Sequence, residues 1–397
     1  MEFVNKLTKP KYRDVEMRIL HICSYYTGNK LYKNLVKELS AEGIYQHVYI
    51  PLRENKFIGK NQLSSNYRNV RYYYRNILNK SDRFFYIHKI NKQKKEIEQD
   101  LLLNNKVDFI HAHTVFSDGG TAYKLHKKYK INYVINVRNT DINFFYKYAL
   151  HLRPFMYKVL LNASFVVFIS HAYKEQLLSL LPKKIEEKIS NKCVVIPNGI
   201  DDFWHENSVL DYKRKKFDKK ISLLFIGLIN KNKNLESVLK TCAYLRKLGY
   251  DVELNVLGNG PSEEKCKQLC EKLNIKNYVF FHGYINDKNR IMHFIDTSDI
   301  FIMPSFTETF GLVYVECMSR GIPVIFSKGQ GIYGFYSEGE VGYSVEPMDI
   351  ENISCSVIKL INNYNAVSRR CIKNSKKFNW ANSAKKYHDL YKSEEDK

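Results

Sequence analysis

The segment that decides the fold reads MPSFTETFGLVYVECMSRGIPVIFS and runs from Met303 to Ser327. It starts at the end of an apolar strand and passes through a polar turn into a helical pattern that begins near Phe310. It then returns to a second apolar run, PVIFS. Strand, helix and strand in succession predict a βαβ unit whose two strands lie parallel.

Similar units flank this segment on both sides. Further apolar runs alternate with helical patterns along the chain: MRILHIC, HVYI, VDFIHAH, YVINVR, FVVFIS and CVVIPNGID in the first half, and ISLLFIG, VELNVLG, VFFHG and IFIMPS in the second. This alternation predicts an α/β protein with two doubly wound, Rossmann-like domains that face each other across a cleft. We expect a first domain at residues 1–205, a second at 206–375 and a helix within 376–397. The polar run 204–220 would be the linker.

Composition limits the class of protein. The 397 residues include 63 Lys and Arg against 41 Asp and Glu, which gives a net charge of +22. This excess suits nucleic acid, an anionic membrane face or phosphorylated substrates. The bias of AT-rich coding toward Lys, Asn, Ile and Tyr explains it equally well.

The cysteines and the apolar runs bear on the compartment. The eight Cys match no disulfide or zinc framework, which indicates reduced thiols. The first residues lack a signal-peptide core, and no apolar run reaches the roughly 18–20 residues that span a bilayer. We therefore expect a cytoplasmic protein, peripheral at most to the inner face of the plasma membrane.

Two glutamates stand out in the deciding segment. Glu308 falls in the loop after the strand, and Glu316 lies about two turns into the helix, with seven residues between them. The free N–H groups of Gly311, Leu312 and Val313 lie in the first helical turn, where they can bind an anion. The segment predicts a phosphate cradle with two carboxylates for sugar hydroxyls. The alternative is an ordinary βα unit with two surface glutamates.

This segment resembles the E-x7-E motif of glycosyltransferase family 4, whose members are retaining enzymes with the two-domain GT-B fold. The family's wider pattern of Pro-Ser, Glu, Phe-Gly-Leu, Glu and Gly-x-Pro-Val is present at residues 304–324. VVIPNGID ending at Asp201, LGNGP at 257–261 and FHGYI are also similar to the family's signatures. FNWANSAKKYHDLY resembles the helix that crosses back onto the first domain in that fold.

The resemblance implies roles for individual residues. Glu308 would contact donor-sugar hydroxyls beside the anomeric carbon, and Glu316 would bind the ribose. The donor-binding set implied is Gly227, Lys233, Asn259, Tyr284, Ile285, Ser305, Phe310, Gly311, Leu312, Val313 and Glu316. Within this set, Asn259 replaces the family's usual Asp. Tyr284 and Ile285 would border the nucleobase.

Two positions depart from the family pattern near the reacting centre. In FIGLINKNKN, Gly227 and Lys233 match the phosphate-binding loop, but Leu228 stands where the family usually has Arg. Lys231 is a possible substitute for that Arg, and the alternative for Lys233 is an ordinary solvated loop lysine.

The second departure is Arg138 in INVRNTDINFFYKY, where many family members have His. A guanidinium binds phosphate or a sugar carboxylate but cannot shuttle protons. We expect Glu308, Arg138 and Lys233 to be the catalytic residues. The alternative for Arg138 is a salt bridge to Asp141 that shapes the loop.

The acceptor side is predicted from the first domain. We expect Gly28, Asn29, His113 and Asp141 to face the acceptor. His111 and His113 share one face of a strand, but no third ligand stands near them in the sequence, so we predict no metal site.

The stretch from Tyr67 to Lys95 mixes basic and aromatic residues. In isolation it suits nucleic acid. Under the family resemblance it suits an acceptor at an anionic membrane face. A solvated helix with an aromatic core face is the third interpretation.

Together these observations predict a retaining, metal-independent hexosyltransferase without a cofactor. Its partners would be a nucleotide-sugar and a glycan or polyprenyl-linked acceptor in surface polysaccharide synthesis, and we expect no nucleic acid. Two other classes stay open: a non-catalytic GT-B protein that binds nucleotide-sugar or glycan, and a basic nucleic-acid-binding protein. The E-x7-E run disfavours an epimerase or a phosphorylase of the same fold.

Overall fold

The computed structural model of the protein describes residues 17–209 and 220–395. It contains two parallel sheets, each covered by helices on both faces. Because both faces are covered, the strands are apolar almost throughout rather than alternating.

The first sheet has seven parallel strands in the order β3-β2-β1-β4-β5-β6-β7. Its strands are β1 Arg18–Ile22, β2 Tyr45–Leu52, β3 Val70–Asn76, β4 Phe109–Ala112, β5 Asn132–Asn136, β6 Phe165–Phe168 and β7 Cys193–Val195. Its helices are α1 Leu31–Ala41, α2 Tyr86–Ile97, α3 Gly119–Tyr129, α4 Arg153–Asn162, α5 His171–Leu180, α6 Lys183–Ile189 and α7 Asp202–Glu206.

The second sheet has six parallel strands in the order β10-β9-β8-β11-β12-β13. Its strands are β8 Lys220–Ile226, β9 Asp251–Leu257, β10 Val279–Phe281, β11 Ile300–Ile302, β12 Val324–Ser327 and β13 Gly342–Val345. Its helices are α8 Leu235–Lys247, α9 Glu263–Lys272, α10 Lys288–Thr297, α11 Leu312–Ser319, α12 Ile350–Asn362 and α13 Tyr364–Ser375. They are followed by α14, Trp380–Glu395.

These topologies confirm the predicted fold class of two Rossmann-like domains. In each sheet the chain direction along the order reverses next to the first strand, between β1 and β4 and between β8 and β11. Ligands of open α/β sheets bind at the carboxyl ends of the strands beside such a reversal. Both carboxyl edges meet at the cleft between the domains, and this positions the candidate site.

Helix α14 packs back onto the first domain, as the fold prediction requires. Tyr387 and Tyr391 are buried against Ile19, Leu35 and other apolar residues of β1 and α1. The crossover passes close to the end of the first domain. A Cβ added to Gly199 would lie only 2.4 Å from the Trp380 nitrogen. Glycine at this position therefore lets the two chain segments touch.

Two strands were not predicted, and the start of the predicted linker belongs to a helix. β3 lies inside the basic and aromatic stretch 67–95, and its three consecutive Tyr side chains, flanked by Arg71 and Arg75, are half-buried at the edge of the sheet. The short strand β13 also went unrecognised. Trp204, taken as the start of the linker, is buried within α7. Residues 210–219 of the predicted linker lie outside the described residues.

Candidate active site

A cavity of about 570 Å³ lies between the two domains. Both sheets contribute to it from their carboxyl edges. Its lining includes Asn29 from the predicted acceptor side and most of the predicted catalytic and phosphate-binding residues: Arg138, Gly227, Lys233, Glu308, Phe310, Gly311, Leu312 and Val313. The fold therefore brings together predicted residues from the segments that follow four different strands.

The turn before α11 forms one end of this cavity. The helix starts at Leu312, two residues later than predicted, because Gly311 adopts the left-handed conformation with φ of 79°. A Cβ at this position would lie 2.4 Å from the Tyr314 ring, so glycine is required. The amides of Leu312 and Val313 stand in the first helical turn, where no intrahelical acceptor is available.

Lys233 and Glu308 form an ion pair at the centre of the site. The Lys233 Nζ lies 2.5 Å from Glu308 Oε2, and the two side chains are 22% and 11% exposed. Asn232 holds the two loops together, because its side chain donates to the Thr307 carbonyl and accepts from the Thr307 N–H. The ammonium and the carboxylate are thus fixed beside the start of α11.

The loop 258–260 packs directly on the loop that follows β8. A Cβ on Gly258 would lie 1.9 Å from the Gly227 carbonyl oxygen, and one on Gly260 would lie 2.3 Å from that of Ile229. The Asn259 carbonyl accepts from the Ile229 N–H at 2.8 Å, while its side chain is exposed. Asn259 therefore supports the cavity wall through its backbone without lining the cavity.

The other predicted donor residues lie around this wall and do not line the cavity. Tyr284 is exposed and Ile285 half-buried beside the end of β10. Ser305 is fully buried, and its carbonyl accepts from the Ser327 hydroxyl at 2.6 Å.

Glu316 lies on α11 facing α7. Burial raises the pKa of its carboxyl to about 7, and Asp201 adds to this effect, while Lys288 and a hydrogen bond from Trp204 oppose it. A carboxyl held in this way is poised between its neutral and ionised forms near neutral pH.

Arg138 enters the cavity from the opposite domain. Its backbone N–H donates to Asp141 Oδ2 at 2.9 Å, and its carbonyl accepts from the Tyr173 hydroxyl at 3.2 Å. Its guanidinium lies over the Tyr32 ring, 5.5 Å from the centroid. Among the described residues no salt bridge joins Arg138 to Asp141, so the alternative of a loop-shaping ion pair is wrong.

Asp141 instead ties two loops of the first domain together. Its buried carboxylate accepts from the backbone N–H groups of Val115 and Phe116, each at 3.1 Å, as well as from that of Arg138. Burial outweighs these bonds and raises its pKa to about 7. The residue is fully buried and does not line the cavity.

A third histidine accompanies His111 and His113, which corrects the expectation that none would. His21 on β1 pairs in register with His111, and its Nδ1 lies 3.0 Å from His113 Nε2. The ligand atoms of the three rings lie within 4.8 Å of one another. Burial lowers the pKa of His21 to about 3 and those of the other two well below the usual value.

The partners of His111 indicate a structural role for this cluster. Its Nδ1 accepts from the Tyr391 hydroxyl at 2.7 Å, and its Nε2 donates to Asn136 Oδ1 at 3.1 Å. The Asn136 amide in turn donates to the Tyr387 hydroxyl. Both nitrogens of His111 are therefore occupied in attaching α14 to the sheet. His113 is buried and does not face the cavity.

A second cavity, of about 760 Å³, opens from the first domain. It shares the wall residues Tyr25 and Thr140 with the cavity between the domains, so the two cavities adjoin. Gly28 lies in the turn beside them and lines neither. The walls are largely apolar, with charged side chains among them: Pro51, Leu52, Phe57, Leu78, Phe84, Tyr86, Phe144 and Phe145, and Arg53, Glu54, Asp82 and Lys89.

Two buried ionisable groups near this second cavity were not predicted from the sequence. Asp118 accepts from the Ser24 hydroxyl at 2.5 Å, and burial raises its pKa to about 6. Lys89 donates to the Ser117 hydroxyl at 2.8 Å, and burial lowers the pKa of its ammonium. The position of Asp118 directly before a helix and after a buried strand was the signal that could have indicated it.

The mouth of the second cavity carries exposed aromatic side chains. We call Phe84, Phe85, Phe144 and Tyr148 the aromatic rim. Phe84 is 83% and Phe144 59% exposed, and the Phe144 and Tyr148 rings lie 6.0 Å apart. Lys147 lies over Tyr148, which places positive charge beside the rim. Within residues 17–209 and 220–395, no helix is long and apolar enough to cross a bilayer.

Comparison with known proteins adds two family profiles. Residues 29–202 match the profile described as Glycosyltransferase Family 4, and residues 209–378 match that of Glycosyl transferases group 1. The matches to three curated relatives cover 59%, 46% and 52% of those proteins, or about half of their length.

Individual relatives and one solved structure are consistent with these profiles. The chain is 30% identical to the alpha-monoglucosyldiacylglycerol synthase of Streptococcus pneumoniae over 55% of this chain and 52% of that one. It is 26% identical to the capsular polysaccharide biosynthesis glycosyltransferase CapM of Staphylococcus aureus, over 50% and 53% of the two chains. The fold superposes on Anabaena HepE in complex with UDP with a TM-score of 0.69, at 14% identity over 95% and 100% of the two chains.

Proposed function

Because this chain belongs to the family 4 and group 1 glycosyltransferases, we propose that it transfers a hexose-type sugar from a nucleotide-sugar to a glycan or polyprenyl-linked acceptor, with retention at the anomeric carbon. The observation that carries this proposal is the Lys233–Glu308 pair, held 2.5 Å apart beside the free amides of α11. Amides and an ammonium bind a diphosphate, while the carboxylate is free to accept from sugar hydroxyls.

The reaction proposed is a same-face substitution. The bond between the anomeric carbon and the diphosphate oxygen breaks, and its electron pair goes to that oxygen. The acceptor hydroxyl oxygen bonds to the anomeric carbon, and its proton passes to the departing diphosphate. The protein contributes positioning and stabilisation of the leaving group.

Lys233 and the α11 amides supply positive charge at the diphosphate, which supports a reaction without a metal. The three-histidine cluster is fully buried and does not line the cavity, so it offers no ligand to the donor. We propose that no metal or other cofactor takes part.

The acceptor would occupy the second cavity, and its position next to the first, with Tyr25 and Thr140 in both walls, supports this assignment. Apolar walls and the aromatic rim suit a lipid-linked glycan at an anionic bilayer. We propose that the protein works in surface polysaccharide synthesis at the cytoplasmic face of the plasma membrane. The names of the lipid glucosyltransferase and capsule relatives are consistent with this role.

A thermal-shift panel of UDP, GDP, ADP and their sugars, with and without EDTA, tests the proposal. We expect one nucleotide class to raise Tm, since a ligand at 100 times its Kd adds about 2.7 kcal/mol of stability. The shift should persist in EDTA and weaken in Glu316→Ala. The absence of a shift with every nucleotide would contradict the proposal.

The alternative of a non-catalytic binding protein is favoured by one observation, the uncharged Leu228 at the phosphate-binding loop. Hydrolysis of the selected nucleotide-sugar, or its transfer to a membrane extract, separates the two functions. Binding without either reaction would identify the non-catalytic protein.

A further inference from the structure

The second domain's wall of the donor cavity is short of positive charge. Lys233 is the only cationic side chain of that domain among the described lining residues, and it is already ion-paired with Glu308 at 2.5 Å. The side chain of Leu228, next to the lining residue Gly227, is 53% exposed and carries no charge. A nucleoside diphosphate brings several negative charges into this space, and on this wall only the helix amides and the already paired Lys233 face them.

The opposite wall provides an unneutralised cation. Arg138 lines the same cavity, and within the described residues its guanidinium makes no ion pair. Its Nε is buried and has no hydrogen-bond partner there. A buried donor without a partner is costly, which indicates that a bound group completes it.

The position of this guanidinium is fixed from three directions. Asp141 holds the backbone N–H, Tyr173 holds the carbonyl, and the Tyr32 ring supports the guanidinium face. Because Asp141 uses its carboxylate on backbone N–H groups, it leaves the charge of Arg138 available. The side chain is therefore pre-organised for an anion.

We propose that Arg138 binds the donor diphosphate from the first domain and supplies the charge that is missing at position 228. This inference rests on the proposed function, because it assigns a role within the same donor site. As the bond to the anomeric carbon breaks and the electron pair moves to the diphosphate oxygen, the guanidinium stabilises the charge that develops there. The donor is then held by both domains, and its binding favours a closed cleft.

The test compares the affinities of a nucleoside diphosphate and its nucleoside. We name UDP and uridine as probes, or the matching pair for another base if the thermal-shift panel selects one. We expect Arg138→Gln to lower the ratio of UDP affinity to uridine affinity at least about tenfold, since charge-assisted bonds to phosphate are lost. Uridine binding should stay unchanged, and this also shows that the variant is folded.

Two further variants sharpen this test. Arg138→Lys should keep part of the ratio, because it keeps the charge without the planar fork. Arg68→Gln is the matched control, since it removes one exposed arginine of the same domain before the amino end of β3. It should leave the ratio unchanged.

Moving the charge to the other wall gives the decisive comparison. In an Arg138→Gln background, Leu228→Arg should restore the ratio, because position 228 adjoins the lining residue Gly227 and an arginine there would reach the same cavity. Failure to restore the ratio would overturn the claim that Arg138 supplies the charge that is missing at position 228. An unchanged ratio in Arg138→Gln would overturn the proposal itself, although nucleotide binding, and with it the proposed function, would stand. If the parent protein bound neither probe, both proposals would fall.

Discussion

The two walls of the cleft are built by different means. The second domain's wall is made of backbone held against backbone, with Gly258 and Gly260 pressed onto the loop after β8 and Asn232 joining two loops. The first domain's wall is made of side chains on long loops, with a wide cavity and the aromatic rim exposed at its mouth. We call the second domain's wall the rigid wall, because its close backbone contacts tolerate almost no change of shape. We call the first domain's wall the adaptable wall, because its loops enclose a cavity that ligands of different shapes could fill.

This difference follows the two tasks that we propose. A diphosphate is small and requires fixed donors at fixed distances, and backbone amides provide these without side-chain entropy. An acceptor of larger and variable shape is better met by side chains on loops, where specificity can change without disturbing the sheet. Four predictions test this contrast, beginning with the largest effect.

The first concerns the charge on the rigid wall. Lys233→Gln should lower kcat for sugar transfer by about 10²–10³-fold, because it removes a fixed cation from the leaving diphosphate. Lys231→Gln is the matched control, since this exposed lysine belongs to the same short turn, Lys231–Lys233, but does not line the cavity. Equal losses in both variants would contradict the assignment and would return Lys231 to consideration.

The second concerns the backbone contacts of that wall. Gly258→Ala should lower the free energy of unfolding by about 3 kcal/mol, because φ of 141° and a contact of 1.9 Å both oppose a Cβ. Gly43→Ala is the control, since φ is 82° there and no atom lies within 4 Å. It should cost about 1 kcal/mol. Thermal denaturation measures both, and a similar decrease in Tm for the two variants would refute close packing at Gly258.

The third concerns Glu316, a largely enclosed carboxyl on α11 that does not itself line the cavity. Its folded pKa of about 7 lies above that of the unfolded chain, so the folded state loses stability as pH rises from about 4.5 to 7. Glu316→Gln removes this loss. We expect the variant to be more stable than the parent by up to about 3 kcal/mol at pH 8 and equal to it near pH 4. A pH series of Tm values checks this, and a difference independent of pH would exclude the carboxyl as its cause.

The fourth concerns the adaptable wall. The double variant Phe84→Ser and Phe144→Ser should weaken binding to phosphatidylglycerol vesicles about tenfold, because two exposed rings no longer enter the bilayer. Met348→Ser removes an exposed apolar side chain from the second domain and is the control in a vesicle co-sedimentation assay. If the parent did not sediment with vesicles, the membrane proposal for the rim would be abandoned.

The same contrast decides how much the sequence could predict. Part of the rigid wall could be predicted because the residues that form it lie within one short segment. Gly311 stands before a helix and Glu308 after a strand. The ion pair of Lys233 with Glu308 across 75 positions was not predicted, because the family resemblance assigned Lys233 to the diphosphate and Glu308 to sugar hydroxyls. Contacts such as Gly258 on Gly227 depend on how two loops meet, and no spacing rule reveals them.

Most residues of the adaptable wall could not be predicted from the sequence. The second cavity forms where five strands of the first sheet end, so its residues are scattered from Ser24 to Phe145 without a shared motif. His21 joined the histidine cluster only through the pairing of β1 with β4, which lies 90 positions along the chain. The edge strand β3 was not predicted because a run of tyrosines between two arginines also suits a binding surface.

The crossing of α14 has a consequence for how the chain comes to be folded in the cell. During synthesis, the first domain leaves the ribosome long before the helix that covers β1 and α1. Until the entire second domain has emerged, Ile19, Leu35 and Phe109 lack the aromatic residues that bury them, and His111 lacks the Tyr391 hydroxyl. The first domain thus reaches its finished state only after translation of the second, and in the interval its uncovered face is a natural substrate for a chaperone.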